Sequence, residues 1–385
     1  MVLFANTAWY LYNFRLPLAR ALRDRGLEPL FVAPPDQYVD SLRAEGFRFE
    51  PLRLGRASTN PFSELLTLVR LTRLYRRERP VVVHHFTIKC VLYGSLAAII
   101  SRTAIVINAI TGLGHVFVSQ RFKARVLRPV VKRLYRVVLS ARQVHVIFQN
   151  NDDREAFAKL GLTNPARCYL IRGSGVDAQR FSPSGVTSPE PQRVLLVGRL
   201  LAEKGIREFV DAARALRARG STAIFEVAGE LDAGNPSSVS REQLAAWKSE
   251  GVVNFKGHVD DIEPLLATAT LVTLPSYREG VPRSLLEAAA MGKPLVATDV
   301  PGCREIVEDG VNGLLVPPRD ARALGDAIER LLMNPGLSTR MGIASRQKVL
   351  DAFDEKTVIT ATLRVYAELG AFEPVVNAGP LPRRN

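Results

Sequence analysis

The feature that most constrains this chain is an alternation. Short apolar, strand-like runs are followed by helical stretches, and the pattern occurs in two series with a break between them. In the first series the strand-like runs at residues 2–5, 29–33 and 81–83 precede helical patterns at 15–25, 38–45 and 90–100. The second series carries strand-like runs at 193–197, 224–228, 252–255, 271–274, 294–298 and 313–316, with helical patterns at 205–218, 262–267, 284–291 and 321–333. Strands and helices in turn imply an α/β protein with parallel sheets, because a parallel neighbour is reached only through a crossover long enough to hold a helix. The break spans 172–191, where Gly173, Gly175, Pro183, Gly185, Pro189 and Pro191 crowd together as in a linker. A chain of 385 residues is also long for one core and suits two domains. Two doubly wound Rossmann-like halves are expected to face a central cleft at the carboxyl ends of their strands.

Charge divides the chain the same way. Residues 1–175 hold 27 Lys and Arg against 11 Asp and Glu, a surplus of 16 positive charges, while the remainder holds 25 against 27. So lopsided a field draws an anion to the first part: nucleic acid, anionic lipid or pyrophosphate. Cys90, Cys168 and Cys303 stand far apart with no zinc-ligand spacing, which fits a reducing compartment and neither a disulfide framework nor a zinc site. The opening Met1-Val2-Leu3-Phe4-Ala5 lacks a basic region and a cleavage site, so it does not read as a signal peptide. The longest apolar stretch, 91–118, is broken by Ser101, Arg102 and Asn108, whereas a spanning helix needs about 20 apolar residues. A soluble or peripheral protein is expected.

Two clusters carry chemistry. Glu279 and Glu287, with seven residues between them, flank a loop containing Gly280, Val281 and Pro282 that enters a helix at Ser284. The first turn of a helix leaves amide N–H groups unpaired and bears about half a positive charge, a natural seat for phosphate. On spacing alone the same carboxylates also fit a first-turn charge and a solvated helix residue. The second cluster is Gly198-Arg199 followed by Lys204-Gly205, a strand ending in a glycine turn with two cations before a helix. A guanidinium fork and an ammonium point charge suit a diphosphate. Taken singly, both residues fit surface ion pairs equally well. Asp152-Asp153 and Asp260-Asp261 are adjacent pairs rather than D-x-D, so no seat for a divalent metal is apparent.

Together with Asn6, Trp9 and Arg15 near the start, His84-His85-Phe86 and Lys89, Thr111-Gly112-Leu113-Gly114 and Phe148-Gln149-Asn150, these clusters resemble glycosyltransferase family 4 over nearly the whole chain. The resemblance is to its branch in capsule, exopolysaccharide and lipid-linked oligosaccharide synthesis. It implies the GT-B fold, with an acceptor-binding domain at 1–175 completed by a closing helix at about 355–370. A nucleotide-sugar-binding domain would occupy 176–354, with hinge closure around 172–191. It further implies a retaining, metal-independent transfer from a nucleotide-sugar, a UDP-sugar by analogy, without a cofactor. The acceptor would be a saccharide on polyprenyl diphosphate. Arg199 and Lys204 would hold the donor diphosphate, Glu279 the transferred sugar and Glu287 the ribose, with Gly198, Gly280, Val281, Pro282 and Ser284 around the phosphates. Asn6, Trp9, His84, Lys89, Thr111 and Gly112 are candidate donor or acceptor contacts. The chain departs from the family at His84-His85-Phe86, where His-x-His is usual, and at Asn6-Thr7-Ala8-Trp9, where a glycine pair is usual.

Residues 79–151 contain no carboxylate, while Arg121, Lys123, Arg125, Arg128, Lys132, Arg133, Arg136 and Arg142 fall within 121–142. Phe122, Val126, Val130, Leu134 and Val138 recur every four residues among them, as in one helix or two broken at Pro129. Such a segment can lie on an anionic membrane surface, here the inner face of the cytoplasmic membrane, or pack as a core helix with a solvated basic face. Other classes fit less well. A dinucleotide-dependent oxidoreductase requires glycines after the first strand, and none stands there. No nucleic-acid-binding pattern accompanies the basic charge, and the acidic second part would repel phosphate chains. A sugar-nucleotide 2-epimerase would share the fold but use no acceptor.

Overall fold

Among the described residues thirteen strands form two sheets, one of seven strands and one of six, every pairing within them parallel. The computed structural model describes residues 1–55, 61–112, 122–183, 190–232, 234–235 and 237–372. The chain divides into Met1–Ser174 with Val358–Asn385, and Gly175–Thr357.

The first unit contains β1 (Val2–Phe4), α1 (Ala8–Arg23), β2 (Leu30–Ala33), α2 (Val39–Ala44), β3 (Arg48–Pro51), α3 (Pro61–Glu78) and β4 (Val82–Phe86). It continues through α4 (Ile88–Ser101), β5 (Ile105–Ile110), α5 (Phe122–Ser140), β6 (Val144–Phe148), α6 (Asn151–Lys159) and β7 (Cys168–Leu170). The strand order β3-β2-β1-β4-β5-β6-β7 reverses direction between β1 and β4. At such a switch point the loops after neighbouring strands diverge and leave a crevice. β1, β2, β4 and β5 are buried at every position, as in a sheet covered on both faces.

Alternation along β4 sorts its side chains. Val83 belongs to the core beneath α3, α4 and α5, while Val82 and Phe86 join the cores that contain α1 residues. His85 points to the α4 face and is fully engaged, with Nδ1 2.8 Å from Asn108 Oδ1 and Nε2 3.0 Å from Tyr75 Oη. Gly94 of α4 makes room for it, since a Cβ there would stand 2.6 Å from the His85 ring.

The second unit contains β8 (Arg193–Val197), α7 (Ile206–Ala218), β9 (Ile224–Ala228), α8 (Arg241–Glu250), β10 (Val253–Gly257), α9 (Glu263–Thr268) and β11 (Leu271–Leu274). It continues with α10 (Arg283–Ala290), β12 (Leu295–Thr298), α11 (Pro301–Ile306), β13 (Gly313–Val316), α12 (Ala321–Leu332) and α13 (Pro335–Ala352). Its strand order, β10-β9-β8-β11-β12-β13, places the switch between β8 and β11. The last helix, α14 (Glu355–Glu368), enters the first unit from Val358 and buries Val358, Leu363, Val365 and Tyr366 with Leu18 and Leu22 of α1.

One sequence expectation changes, and two are made definite. The helix expected at 15–25 begins at Ala8, where the Thr7 hydroxyl accepts the Tyr10 amide at 3.1 Å, and it runs through Pro17. Trp9, Tyr10, Tyr12 and Phe14 have modest helix propensity, so the cap and burial decide the start. The apolar stretch at 91–118 divides at Arg102, whose φ of 59° closes α4 before β5. The basic segment is one helix through Pro129 that ends at Ser140. Arg121, the side chains of residues 122–127, Gly114 and the linker positions 184–189 lie outside the described residues. Among the described residues no helix is long and apolar enough to cross a membrane.

Candidate active site

The candidate site of the second unit is built from glycines that let three loops approach. β8 ends at Val197 and is followed by Gly198. Across from it Gly229, with φ 154°, leaves space that a Cβ would fill, 1.9 Å from the Gly198 carbonyl oxygen. After a short 3-10 turn at Ala202–Lys204, Gly205 takes φ 71° and starts α7. A Cβ on Gly205 would lie 2.1 Å from the carbonyl oxygen of Pro275, in the loop after β11. The Tyr277 amide of that loop donates to the Glu203 carbonyl at 2.8 Å. Gly302, in the first turn of α11, receives the same loop further along, since its Cβ would stand 1.7 Å from the Gly280 carbonyl oxygen. The ends of β8, β11 and β12 are thereby locked to one another by backbone contact.

This packing sets the charged side chains. Lys204 Nζ donates to Glu279 Oε1 at 2.5 Å, with the two side chains 21% and 11% exposed. Pro282 caps α10 without a side-chain hydrogen bond, and while the Leu285 amide turns back to the Pro282 carbonyl at 3.2 Å, no side chain caps the first turn ahead of it. Ser284 sits in that turn. Glu287, one turn deeper, accepts from Arg283 Nε at 2.8 Å. Burial raises the Glu287 pKa, and the Arg283 guanidinium opposes the rise. The exposed guanidinium of Arg199 is held by Asp232. Tyr277 Oη donates to Glu208 at 2.7 Å and lies beneath the Arg319 guanidinium, 4.6 Å from its ring centroid, which stiffens the loop carrying Glu279.

Lys204, Glu279 and the Gly280 turn are thus brought together, with Gly198 and Arg199 on the adjoining loop and Val281, Pro282, Ser284 and Glu287 following on α10. An ammonium, a carboxylate and an open helix start in one place can bind a phosphate together with a polyhydroxy group. The sequence reading missed Asp232, Arg283, Gly229 and Gly302. Only Arg283 left a local sign, an arginine four residues before Glu287.

The remaining candidates lie in the first unit, at the carboxyl ends of β1, β4 and β5. Trp9 is 42% exposed, and its amide donates to Asp36 Oδ2 at 2.9 Å. Asn6, Thr111 and Gly112 are partly exposed, Gly112 with φ 142°. Lys89 is engaged internally, with Nζ 2.7 Å from the Gly55 carbonyl oxygen and 2.8 Å from Glu64 Oε1. His84 is 1% exposed, and its Nδ1 lies 2.5 Å from Tyr366 Oη on α14.

Two Rossmann-like units with such a loop cluster define a GT-B glycosyltransferase, and comparison with known proteins agrees. Residues 1–159 match the model for glycosyl transferase 4-like domains and residues 191–334 that for glycosyl transferases group 1. The N,N'-diacetylbacillosaminyl-diphospho-undecaprenol alpha-1,3-N-acetylgalactosaminyltransferase of Campylobacter jejuni is 31% identical over 92% of this chain and 95% of its own length. The capsular polysaccharide biosynthesis glycosyltransferase CapM of Staphylococcus aureus is 26% identical over 77% of this chain and 79% of its own. The crystal structure of HepE from Anabaena, in complex with UDP and glucose, superposes with a TM-score of 0.75 at 20% identity over 96% of this chain and 99% of its own. The chain belongs to the family 4 glycosyltransferases.

Proposed function

We propose that this glycosyltransferase moves a sugar, a hexose or N-acetylhexosamine, from a UDP-sugar to a saccharide carried on polyprenyl diphosphate. Transfer retains the anomeric configuration and requires neither a metal nor another cofactor. The observation that carries the reading is the Lys204–Glu279 pair at the open start of α10. Departure of the nucleotide builds negative charge on the β-phosphate, and preorganised cations and amides stabilise that charge where it forms. Lys204, Arg199 and the turn from Gly280 to Ser284 supply them. Glu279 accepts from hydroxyls of the sugar, Glu287 from the ribose. Metal independence is supported by these cations, which supply positive charge at the diphosphate. In the family's usual explanation of retention the leaving phosphate takes the acceptor proton, so no protein base is invoked.

The acceptor class is supported by the Campylobacter jejuni relative, whose name specifies a sugar on diphospho-undecaprenol. Peripheral attachment to the inner face of the cytoplasmic membrane is supported by two surfaces of the first unit. Helix α5 exposes Val130 and Val137 among its cations, and α3 exposes Phe62, Leu65 and Leu66 ahead of Arg70 and Arg73. Apolar side chains beside cations suit an anionic leaflet. The test is a screen of nucleotide-sugars for donor loss with and without membrane lipid extract. Consumption of a UDP-sugar only with extract, and a lipid-bound product, are expected. The C2 epimer of the donor sugar formed without extract would favour the 2-epimerase, and no consumption of any donor would remove the reading.

A further inference from the structure

Helix α1 buries a stripe of Leu11, Leu18, Ala19 and Leu22 against the sheet, and one position on that stripe is an arginine. Arg15 is 6% exposed, yet among the described residues no carboxylate pairs with it. Its guanidinium carbon lies 4.3 Å from the centroid of the Phe86 ring and 5.5 Å from that of Tyr10, and Nη2 donates to Tyr10 Oη at 2.9 Å. Its Nε is buried without a hydrogen-bond partner. A buried guanidinium compensated only by aromatic faces and one hydroxyl is costly, since desolvation of a charge is offset chiefly by an opposite charge.

A second orphan stands beside it. His84 packs on the other participant in this contact, with its ring 4.1 Å from that of Phe86, and its Nε2 is likewise buried and unpartnered. Burial and the Arg15 charge keep the His84 ring neutral. If Tyr366 donates its hydroxyl proton to Nδ1, Nε2 carries the ring proton and becomes a donor. The next residues add a third feature. Thr87 adopts φ 70°, unusual for a β-branched residue, and α4 starts after it with no side-chain cap. Donors and positive potential therefore gather at the carboxyl end of β4, beside the β1–β4 switch point, with no carboxylate among the described residues paired to them.

We infer that Arg15 and His84 form a receiving site for the oxygens of a diphosphate at the carboxyl end of β4. The ligand class rests on the transferase reading, whose lipid-linked acceptor carries a diphosphate besides the one held by the second unit. The site itself rests on the unmatched donors alone.

The experiment uses the full chain as wild type and as Arg15→Met, which keeps the apolar stem over Phe86 and removes the charge. Thermal unfolding is followed while inorganic pyrophosphate is titrated in saturating UDP, and while UDP is titrated alone. Stabilisation of the wild type by UDP reports on the donor site and hence on the transferase reading. Added stabilisation by pyrophosphate, weakened roughly tenfold or more in Arg15→Met, supports the receiving site with a ligand other than the donor. Weakening confined to UDP overturns it, because the nucleotide diphosphate is assigned to Lys204 and Arg199 of the second unit. Equal binding of both probes by the two proteins overturns the inference, whether or not UDP binds. Stability gives a separate criterion. Arg15→Met should melt at the same temperature or higher, because an unpaired buried charge has gone, and a melting point several degrees lower with pyrophosphate binding intact assigns Arg15 to the core instead. Should the variant fail to fold, the Arg15 Nε–H resonance of arginine-labelled wild type, assigned with Arg15→Lys, decides: a shift on adding pyrophosphate supports the site, and an unmoved resonance overturns it.

Discussion

Lys204 and Glu279 illustrate how one contact changes the meaning of two residues. Apart in sequence they read as a phosphate ligand and a sugar ligand. In the structure each is the other's partner at 2.5 Å, so the pair is oriented before any substrate arrives. Lys204→Ala should therefore lower turnover by about 10²–10³ with little change in donor binding. Glu287→Ala should weaken donor binding chiefly. Steady-state kinetics of both variants checks the split, and equal effects on both parameters in both would count against the assigned roles. The histidines of β4 yield a prediction about pH. Burial holds His85 at a pKa of about 4 against an ordinary 6.5, and it lowers His84 as well. Below pH 6.5 the unfolded chain takes up protons that the folded chain refuses. Stability present above that pH is lost as pH falls towards 4, at about 1.4 kcal/mol per unit for each such histidine. Melting curves from pH 7.5 to 5 should show the loss, and His85→Gln should flatten it.

At the scale of elements, the site depends on glycines that no motif flagged. Gly302 belongs to α11, a short helix with no charged role, yet its missing Cβ admits the carbonyl of Gly280. Gly302→Ala should shift the Glu279–Ser284 loop and reduce activity on the order of 10²-fold, because a misplacement of about 1 Å in a positioned group costs that much. A melting curve near that of the wild type would show that the fold survives, and wild-type turnover would mean the loop gives way freely. The early start of α1 has its own test. The Thr7 hydroxyl satisfies the Tyr10 amide, so Thr7→Ala should cost about 1 kcal/mol, measurable by urea unfolding. The strands were largely legible because period-two burial and buried apolar runs are local signals. Strands β3, β5, β6 and β7 and helices α3, α6, α8, α11 and α13 were not read in advance. β3 is an edge strand with exposed ends, and α3 mixes exposed leucines with arginines, so neither has a clean period.

Across the whole molecule, the chain passes from the first unit to the second after Ser174 and returns after Thr357. The two passages are zipped together. The Val176 amide donates to the Phe353 carbonyl at 2.9 Å, the Glu355 amide donates to the Val176 carbonyl at 3.0 Å, and Gly175 at φ 77° leaves no room for a Cβ, which would sit 2.5 Å from Glu355 Cα. Gly175→Ala should lower stability by about 1–3 kcal/mol, read as a reduced melting temperature. Charge acts at the same scale. The surplus of 16 positive charges in residues 1–175 should bind vesicles containing anionic lipid and release them as salt rises. Co-sedimentation that ignores lipid charge and persists in high salt would exclude this mode of attachment.

What the amino-acid order settled without help was the class of fold and the residue types at the loops after β8 and β11. Both are written in short-range patterns: alternation of elements, glycine beside cation, and glutamates at a fixed spacing. The tertiary structure alone decided which charges meet. Asp232 reaches Arg199 across 33 residues, Glu279 reaches Lys204 across 75, and Tyr366 reaches His84 across 282. Such pairings are set by where separate loops and helices converge in space, and spacing along the chain carries no trace of them.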